Sequence, residues 1–370
     1  MKFTITGQNG FIGSHLKNSL VFLHESFHVI DFDRSFFHDP SKIDSVFSET
    51  DVIIHTAGIN RSKNENDIFE KNISLTKKII ESLTRVNFKG KLIFTSSTQE
   101  SLNNNYGKVK KESSKLFFQA SKKNGFSFMS LIIPNVFGPF CKPNYNSFIS
   151  TFSYNLINNY KNNIQSNSEV SLIYIDNLIN LIIKKSQLKL SNKFTVVPDK
   201  IIDIVSVNNI LKKFHNTYVK NGAVPEIKSD FELNLFNTFR SFLYDSNFFP
   251  KKYLKYTDER GDFTELVRAN TNGQFSYSST NKGHVRGNHF HTKKIERFSV
   301  IYGKALVELR RVGTKEILNF KLDGENPSYI DIPIWYTHNI KNIGEDILYT
   351  NFWISESYDP EDADTFFEEV

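Results

Sequence analysis

The sequence predicts two folds in one chain: an α/β fold with a doubly wound parallel sheet, followed by an all-β barrel. The length of 370 residues exceeds that of one ordinary domain. In the first two thirds, short apolar runs typical of buried strands alternate with helical patterns, which indicates a parallel sheet. In the last third, alternating strands such as "RFSVIYGKALVELRRV" follow one another between Gly, Asn and Pro turns.

The same change of pattern predicts the domain boundary. The alternation of strand and helix ends in "FELNLFNTFRSFLYDSNFFPKKYLKY", and Pro250 with the lysines after it is typical of a linker. We therefore predict a first domain over residues 1–246 and a second domain over residues 247–370.

The composition limits the partners and the compartment. The net charge of +6 comes from scattered lysines, which fit a solvated surface or an anionic small molecule better than nucleic acid. A single cysteine, Cys141, excludes an internal disulfide and fits a reducing compartment. No apolar run approaches the ~20 residues of a spanning helix, and "MKFTITGQNGF" does not resemble a signal peptide. We expect a cytoplasmic protein with no membrane insertion and no nucleic-acid partner.

A glycine-rich turn joins the first predicted strand to the first helix. In "GQNGFIG", Gly7 allows a tight turn, Gly10 lets diphosphate oxygens approach the backbone, and Gly13 allows close packing of helix on strand. The first helical residues, Phe11 and Ile12, offer backbone N–H groups and the positive end of the helix dipole to phosphate. An ordinary turn is the alternative, but the strand before and the helix after favour a Rossmann-type dinucleotide site.

The second strand ends in "HVIDFDR", the position whose residues determine the preference for NAD or NADP in such a fold. An acidic residue here binds the adenine ribose hydroxyls, so Asp33 favours NAD. An arginine accommodates a 2′-phosphate, so Arg34 favours NADP. An ion pair at a strand end explains Arg34 equally well, and both cofactors stay open.

Two further strands end in residues suited to a cofactor and a substrate. "DVIIHTAG" ends in Ala57 and Gly58, whose small size lets a cofactor lie against the backbone. "KLIFTSSTQ" contains a run of hydroxyl residues that includes Ser97. Nine positions later, "YGKVK" places Tyr106 and Lys110 four residues apart, on one face of a helix.

These three residues fit the reduction of a ketone. The carbonyl oxygen gains alkoxide character as hydride arrives, and Tyr106 is suited to donate the proton. A lysine ammonium one turn away favours the tyrosinate form, and Lys110 can also hold the nicotinamide ribose. Ser97 would fix the carbonyl oxygen, with Thr98 as the alternative because the hydroxyl run blurs the register by one residue.

The first 245 residues or so resemble the extended short-chain dehydrogenases/reductases that act on nucleotide sugars. The resemblance rests on the glycine turn, "HTAG", "EKNISLT", the Ser–Tyr–Lys trio, "PNVFGP" and "YIDNL". It implies that Ser97, Tyr106 and Lys110 are catalytic and that Asn72 contacts the cofactor. The implied substrate contacts are Thr98, Gln99, Asn135, Lys142 and Asn146. For the last two, a polar surface loop is the alternative.

The last third contains a candidate metal site in "RGNHFHTKKIERF". His289 and His291 lie two residues apart on a strand and point to one face, and Glu296 follows a short turn. With Gly303 they resemble the first cupin motif, HxH(x)4E(x)6G. "PIWYTHNIKN" resembles the second motif, PxGxxH(x)3N, with a tryptophan in place of the glycine. The resemblance implies a jelly-roll barrel and adds His338 as a fourth ligand.

Three imidazoles and one carboxylate suit one divalent metal. Zinc is favoured, and manganese, iron and nickel fit the same ligands. Both a catalytic and a structural role stay open. In "DERGDFTEL", Arg260 and Asp262 are further candidates for contacts with substrate or a neighbouring subunit.

The combination of these two parts resembles the capsular polysaccharide assembling protein CapF family over essentially the whole chain. The resemblance implies a UDP-linked 4-keto-6-deoxy amino sugar as substrate, and both parent families suggest a homodimer. The cupin would epimerise C3, and the reductase would then reduce the C4 ketone with NADPH. The implied product is UDP-2-acetamido-2,6-dideoxy-L-talose, a precursor of N-acetyl-L-fucosamine. An NAD-dependent epimerase or dehydratase is the alternative enzyme, and an NAD(P)-sensing regulator is the non-enzymatic alternative.

Overall fold

The computed structural model describes most of the chain. The described ranges are residues 1–24, 26–62, 65–188, 192–244, 248–258, 261–264, 266–267, 273–356 and 359–370. The backbone alone is described for residues 65–66, 255–258 and 261–264. Two of the candidates above are affected: Arg260 lies outside the described residues, and so does the side chain of Asp262.

Helices and strands alternate in the first part of the chain. In order they are β1 (Lys2–Thr6), α1 (Phe11–Phe22), β2 (His28–Ile30), α2 (Pro40–Ser48), β3 (Val52–His55), α3 (Glu65–Arg85), β4 (Lys91–Ser97), α4 (Asn105–Asn124), β5 (Ser127–Ile133), β6 (Asn135–Phe137), α5 (Phe148–Ile157), β7 (Glu169–Tyr174), α6 (Ile175–Ser186), β8 (Asn192–Thr195), β9 (Lys200–Asp203), α7 (Ile204–Phe214) and α8 (Asp230–Arg240). Short 3-10 helices lie at Arg34–His38 and Thr98–Ser101, and a π-helical turn lies at His215–Lys220.

The elements that follow in the described residues are all strands. They are β10 (Lys251–Lys252), β11 (Lys255–Asp258), β12 (Gly261–Thr264), β13 (Gln274–Thr280), β14 (Val285–Phe290), β15 (Glu296–Tyr302), β16 (Lys304–Arg311), β17 (Ile317–Asp323), β18 (Ser328–Ile332), β19 (Tyr336–Asn342), β20 (Leu348–Ile354) and β21 (Phe366–Phe367).

The chain forms two compact units. The first consists of Met1–Val136 and Val170–Ile201, and the second of Phe137–Glu169 and Ile202–Val370. The small sheet β6-β7-β9 contains the three points at which the chain passes from one unit to the other. Among the described residues, no helix is both long and apolar enough to cross a membrane.

The first unit is built on a parallel sheet of order β2-β1-β3-β4-β5-β8. The chain runs outward from β1 in both directions, so the carboxyl ends of β1 and β3 border a crevice. β3, β4 and β5 are buried almost throughout, as expected for a parallel sheet covered by helices. This topology confirms the doubly wound α/β prediction.

The second unit contains two antiparallel sheets, of order β10-β18-β15-β20-β13 and β17-β16-β19-β14-β21. Apolar side chains from both sheets form one core, because residues of each strand alternate between the core and the outside. The buried members of that core are Phe298, Val300, Ala305, Val307, Leu309, Leu322, Ile330, Ile332, Ile340 and Leu348. The predicted all-β second part is therefore confirmed.

Residues 202–244, here called the helical segment, pack against the barrel within the second unit. Arg240 is 2% exposed and donates to the carbonyl oxygens of Ile332 and Lys294, at 2.8 and 2.9 Å. The predicted boundary between residues 246 and 247 stays a prediction. The compact unit that holds the barrel begins well before it.

Candidate functional site

The glycine turn between β1 and α1 leaves no space for side chains. Gly7 has a φ of +83°, in the left-handed region that favours glycine, and a Cβ there would lie 2.7 Å from the backbone nitrogen of Ala57. A Cβ on Gly13 would lie 2.1 Å from the carbonyl oxygen of Gly7. The Gly10 N–H donates to the same oxygen at 2.9 Å, which closes the turn.

The helix start and the end of the second βα unit present the predicted phosphate and ribose contacts. α1 begins with the half-buried Phe11 and Ile12, and no side chain caps its N-terminus, so its first N–H groups lack helical acceptors. Asp33 and Arg34 are exposed, and Asp33 Oδ1 accepts from the Ser35 N–H at 2.8 Å. Hydrogen bonds from Ser35 lower the pKa of the Asp33 carboxyl. Both side chains reach solvent, so this geometry favours neither NAD nor NADP.

Asn72 holds the loop that follows β3. Its Oδ1 accepts from the Ile59 N–H at 2.8 Å, and its Nδ2 donates to the carbonyl oxygens of Ile59 and Ile68, both at 2.6 Å. A Cβ on Gly58 would lie 3.0 Å from that Oδ1. Asn72 therefore shapes the loop that contains Ala57 and Gly58, and a direct contact with the cofactor stays a prediction.

Tyr106 and Lys110 lie one turn apart at the start of α4. The Lys110 Nζ lies 5.5 Å from the centre of the Tyr106 ring and 4.7 Å from that of Phe94. It is buried and donates to the carbonyl oxygen of Thr95, in β4, at 2.7 Å. Desolvation lowers the pKa of Lys110 to about 8, and the negative charge of Glu100 opposes that shift. The structure thus brings a buried amine with a pKa near neutrality next to the tyrosine.

A close packing contact joins the end of β4 to the start of α4. Ser97 ends β4, and its Oγ accepts from the Gln99 N–H at 3.2 Å. A Cβ on Gly107, which follows Tyr106, would lie 2.0 Å from the carbonyl oxygen of Gln99. The missing side chain lets the turn after Ser97 lie directly on the first turn of α4. Gly107 was not predicted from the sequence, where a glycine directly after the tyrosine is the available signal.

A cavity of about 380 Å³ opens at this turn. Its lining residues are Thr98, Glu100, Ser101, Lys111, Ile132, Lys193 and Thr195. The carboxylate of Glu100 accepts from the Ser96 hydroxyl and, at 2.5 Å, from the Lys193 ammonium. Thr98 thus lines a cavity that also contains charged side chains. The amide oxygen of Gln99 accepts from Asn104 Nδ2 at 3.3 Å.

The other predicted substrate contacts are exposed. Asn135 lies in β6 and donates to the carbonyl oxygen of Ser171 at 3.4 Å. Lys142 and Asn146 lie in the loop before α5, which belongs to the second unit. Their contact with a substrate stays a prediction.

The four predicted metal ligands meet at one place in the barrel. One nitrogen or oxygen atom from each of His289, His291, Glu296 and His338 lies within 4.8 Å of the others. The Glu296 Oε2 lies 3.1 Å from His291 Nε2 and 3.3 Å from His338 Nε2. β14 and β19 pair so that His289 lies opposite His338, which explains how distant motifs converge.

The charges of this cluster suit a cation. Burial and the neighbouring histidines lower the pKa of His289 to about 4, so its ring is neutral near pH 7. Burial raises the pKa of the Glu296 carboxyl, but the close His291 and His338 rings outweigh burial and hold this pKa well below its usual range. Among the described side chains, His338 Nε2 is a buried nitrogen without an aligned hydrogen bond. Burial lowers the pKa of His291, but its contact with Glu296 outweighs burial and raises it, so a metal has to displace a proton from this ring. Neutral imidazoles and an ionised carboxylate are what a divalent metal binds.

Comparison with known proteins covers both parts of the chain. Residues 3–187 match the NAD dependent epimerase/dehydratase family, and residues 256–366 match the polysaccharide biosynthesis C-terminal domain. A Pseudomonas aeruginosa protein named UDP-2-acetamido-2,6-beta-L-arabino-hexul-4-ose reductase is 30% identical over 99% of this chain and 98% of its own length. The crystal structure of capsular polysaccharide assembling protein CapF from Staphylococcus aureus is 30% identical, covers 100% of both chains and has a TM-score of 0.63. The chain belongs to the CapF family.

Two further solved structures resemble the chain. A CapF crystal structure with the inhibitor 3-isopropenyl-tropolone is 29% identical over 100% of both chains, with a TM-score of 0.60. UDP-glucose 4-epimerase from Thermotoga maritima is 16% identical, covers 66% of this chain and 99% of its own length, and has a TM-score of 0.57, so the two share a fold over that portion. The predicted CapF resemblance is therefore confirmed.

Two of the predicted metal ligands of this CapF-family chain contact backbone carbonyl oxygens. His291 Nδ1 lies 2.5 Å from the carbonyl oxygen of Asp364, and His338 Nδ1 lies 3.2 Å from that of Tyr336. Each carbonyl can only accept, so Nδ1 carries the proton and Nε2 is left to bind a metal. Asp364 was not predicted from the sequence, since no motif links it to His291.

Trp335 occupies the position of the glycine in the second cupin motif. Its φ is +60°, in the region that favours glycine, so the backbone of the motif is kept although the residue is not. The ring is buried and stacks on Phe290 at 5.2 Å, and the backbone N–H donates to the carbonyl oxygen of His291 at 2.8 Å. Packing therefore holds a bulky residue in a strained conformation beside the predicted metal ligands.

Polar side chains share the sheet face of Glu296. The strand registers place Phe298, Phe352 and Ser276 in one row across β15, β20 and β13. Since side chains alternate between the two faces of a strand, Gln274 and Ser278 lie on the same face of β13 as Ser276. We call Gln274, Ser276 and Ser278, together with Thr350 of β20, the polar row. Gln274 Nε2 donates to Ser276 Oγ at 3.1 Å, and the hydroxyls of Ser278 and Thr350 lie 2.9 Å apart. The alternation in "GQFSYSST" was the available signal.

Proposed function

We propose that this CapF-family protein converts a UDP-linked 4-keto-6-deoxy-N-acetylhexosamine into UDP-2-acetamido-2,6-dideoxy-L-talose in two steps. The barrel epimerises C3, and the parallel-sheet unit then reduces the C4 ketone with NADPH. The product would serve a route to N-acetyl-L-fucosamine. The observation that carries the proposal is the end-to-end match with a nucleotide-sugar 4-ketose reductase in a chain that keeps both chemical clusters.

The reduction needs a hydride, a proton and a fixed ketone. Bound NADPH would supply the hydride to C4, with NADP⁺ as the oxidised product. The Tyr106 hydroxyl donates a proton to the developing C4 alkoxide, and the buried ammonium of Lys110 stabilises the resulting tyrosinate. The Ser97 hydroxyl, at the end of β4, holds the ketone oxygen. The ketone gains one hydride and one proton and becomes an alcohol.

The epimerisation uses the same ketone. The C4 carbonyl makes the C3 hydrogen acidic, because the carbanion delocalises into an enolate. His289, His291, Glu296 and His338 would hold one divalent ion, with zinc favoured by the donor set, and this ion would supply positive charge to the site. The polar row beside Glu296 offers hydrogen bonds to sugar hydroxyls. Later reduction at C4 removes the acidity of C3, which makes the new configuration permanent.

One incubation separates the two steps. The full chain is mixed with the UDP-4-keto sugar and NADPH in heavy water, and the product is read by NMR for deuterium at C3 and protium delivered to C4. Tyr106→Phe should abolish NADPH oxidation and leave deuterium exchange at C3. His291→Ala should abolish the exchange. Tyr160→Phe, at a side chain that is 61% exposed, is the matched control and should change neither.

The outcomes distinguish the alternatives. Loss of exchange in Tyr106→Phe would show that one site performs both steps. Product formation without net NADPH oxidation would support an epimerase or dehydratase with internal redox. A dehydratase needs an available acid after the catalytic serine, but the Glu100 carboxylate accepts from Ser96 and Lys193. A regulator would bind the cofactor and turn over nothing, although Ser97, Tyr106 and Lys110 are all present.

We also propose that the protein acts as a homodimer in the cytoplasm. The single cysteine and a reduced nicotinamide cofactor fit a reducing compartment. Cyclic dimers are the commonest assembly of soluble enzymes. Light scattering on the purified chain tests this, and a mass near the 42.8 kDa of one chain would contradict it.

A further inference from the structure

One carboxylate binds the whole loop between two metal ligands. Residues 292–294 connect His291 to Ile295 and Glu296. Asp364, which is 6% exposed, binds each residue of this loop. Its Oδ1 accepts from the Thr292 N–H at 2.9 Å and from the Thr292 hydroxyl at 2.7 Å. Its Oδ2 accepts from the N–H groups of Lys293 and Lys294, both at 3.0 Å. Four donors on one buried carboxylate form a strong, charge-assisted contact.

The backbone of the same residue reaches a metal ligand. The Asp364 carbonyl oxygen lies 2.5 Å from His291 Nδ1, which places the His291 proton on Nδ1 and leaves Nε2 towards Glu296. The residues after Asp364 continue along β14. β21 pairs with this strand at His289 and Phe290.

We propose that Asp364 is a positioning residue for the metal centre. Its carboxylate fixes the loop between His291 and Glu296, and its carbonyl oxygen orients the His291 ring. This inference rests on the metal site named under the proposed function. Asp364 thereby supports metal binding although its own segment contains none of the proposed metal ligands.

Asp364→Asn is the informative change. Asparagine keeps the size of the aspartate side chain and tolerates the φ of +41° at this position. Its side chain has one acceptor oxygen instead of two, and its NH2 group would face backbone N–H groups that need an acceptor. The loop then loses two of its anchors. The backbone carbonyl oxygen is kept, but the loosened loop no longer holds it firmly against His291. We expect the affinity for Zn²⁺ to fall about 10–100-fold, as is typical when a group that supports a metal ligand is disturbed.

The chain offers a matched control. Asp362 contacts the same loop through Lys293 Nζ at 2.5 Å, but its side chain is 66% exposed. Asp362→Asn removes the same charge two residues away, and exposed pairs contribute little. Its Zn²⁺ affinity should therefore stay within about twofold of the wild type.

Competition with a chromophoric chelator measures Zn²⁺ affinity for the wild type and both variants. The d–d absorption of the Co²⁺-loaded proteins reports the ligand geometry, which a purely structural role of Asp364 would leave unchanged. Thermal unfolding of the metal-free proteins completes the set. We expect Asp364→Asn alone to weaken binding and to change the Co²⁺ spectrum.

Different failures have different meanings. A wild type that binds neither ion overturns the metal site itself, and the positioning role with it. A wild type that binds Zn²⁺ no more tightly than Asp364→Asn overturns the positioning role alone. An equal loss in Asp362→Asn shows a general charge effect and also overturns it. If Asp364→Asn does not fold, Thr292→Val removes one of the four donors and should weaken binding about 2–10-fold. Unchanged affinity in that variant then overturns the proposal.

Discussion

Replacing Asp331 by asparagine tests how much the buried ion pair beneath the helical segment contributes to the stability of the second unit. Arg297 and Asp331 are paired on β15 and β18, with Nε–Oδ1 and Nη2–Oδ2 distances of 2.6 and 2.9 Å. Both side chains are 2% exposed. The helical segment covers the pair, because the Tyr218 hydroxyl donates to Asp331 Oδ2 and Arg297 Nη1 donates to the Gly222 carbonyl oxygen at 3.3 Å.

The magnitude follows from what remains after the change. Asp331→Asn leaves the Arg297 guanidinium buried without a counter-charge, and breaking a buried pair in this way costs about 3–5 kcal/mol. Removing both charges, as in Arg297→Met with Asp331→Leu, leaves no buried ion. The polar partners on the helical segment lose their bonds, but the double variant should stay within about 2 kcal/mol of the wild type.

Urea unfolding followed by tryptophan fluorescence measures both effects. The chain has 2 tryptophans, Trp335 and Trp353, so the signal reports on the barrel. Glu226→Gln breaks the exposed pair with Lys228 and should change the free energy of unfolding by less than about 0.5 kcal/mol. A free energy of unfolding for Asp331→Asn within about 1 kcal/mol of the wild type would show that the buried pair contributes little. A double variant as unstable as the single one would show that packing, not charge, dominates.

Four further predictions concern the two sites. The turnover number for ketone reduction at saturating NADPH should fall as pH rises through about 8. Burial lowers the pKa of Lys110 to about 8, and its ammonium form predominates only below that pH. A flat pH profile up to pH ~10 would contradict this. Gly107→Ala should slow reduction about 100-fold without affecting deuterium exchange at C3, because its Cβ would displace the Ser97 turn, and stopped-flow NADPH oxidation checks this. Trp335→Gly should lower the free energy of unfolding by roughly 1–4 kcal/mol in circular dichroism, because the lost ring outweighs the relieved backbone strain; a stabilised variant would show that strain dominates. Ser276→Ala should raise the KM for C3 exchange about 2–10-fold and leave the reduction of an already epimerised ketone unchanged. An unaltered KM would show that the polar row does not bind the sugar.

The elements that the sequence predicted well are those specified by local patterns. The glycine turn, the Tyr106–Lys110 pair and the HxH strand each lie within a few residues, and strand or helix geometry determines which side chains meet. His338 was predicted through its motif, and the pairing of β14 with β19 brings it opposite His289. The two-part fold followed from the change in hydrophobic period.

The elements that the sequence did not predict depend on contacts between distant segments. Asp364 binds a loop about seventy residues earlier, and neither segment has a pattern that names the other. The helices of the helical segment are amphipathic, but a helical period specifies a buried face and not the partner that buries it. Trp335 departs from its motif, and its packing against Phe290 and its hydrogen bond to the His291 carbonyl oxygen, which no local pattern specifies, hold the left-handed backbone.

The path of the chain through β6, β7 and β9 has a consequence for inheritance. The polypeptide enters the second unit at residue 137, returns at residue 170 and leaves again after residue 201. No single break in the gene can therefore separate one unit intact from the other. A recombination event that exchanged everything after residue 246 would transplant a barrel without the helical segment that covers its buried ion pair. Once joined, the two activities can be lost separately by point mutation, but they are transmitted together.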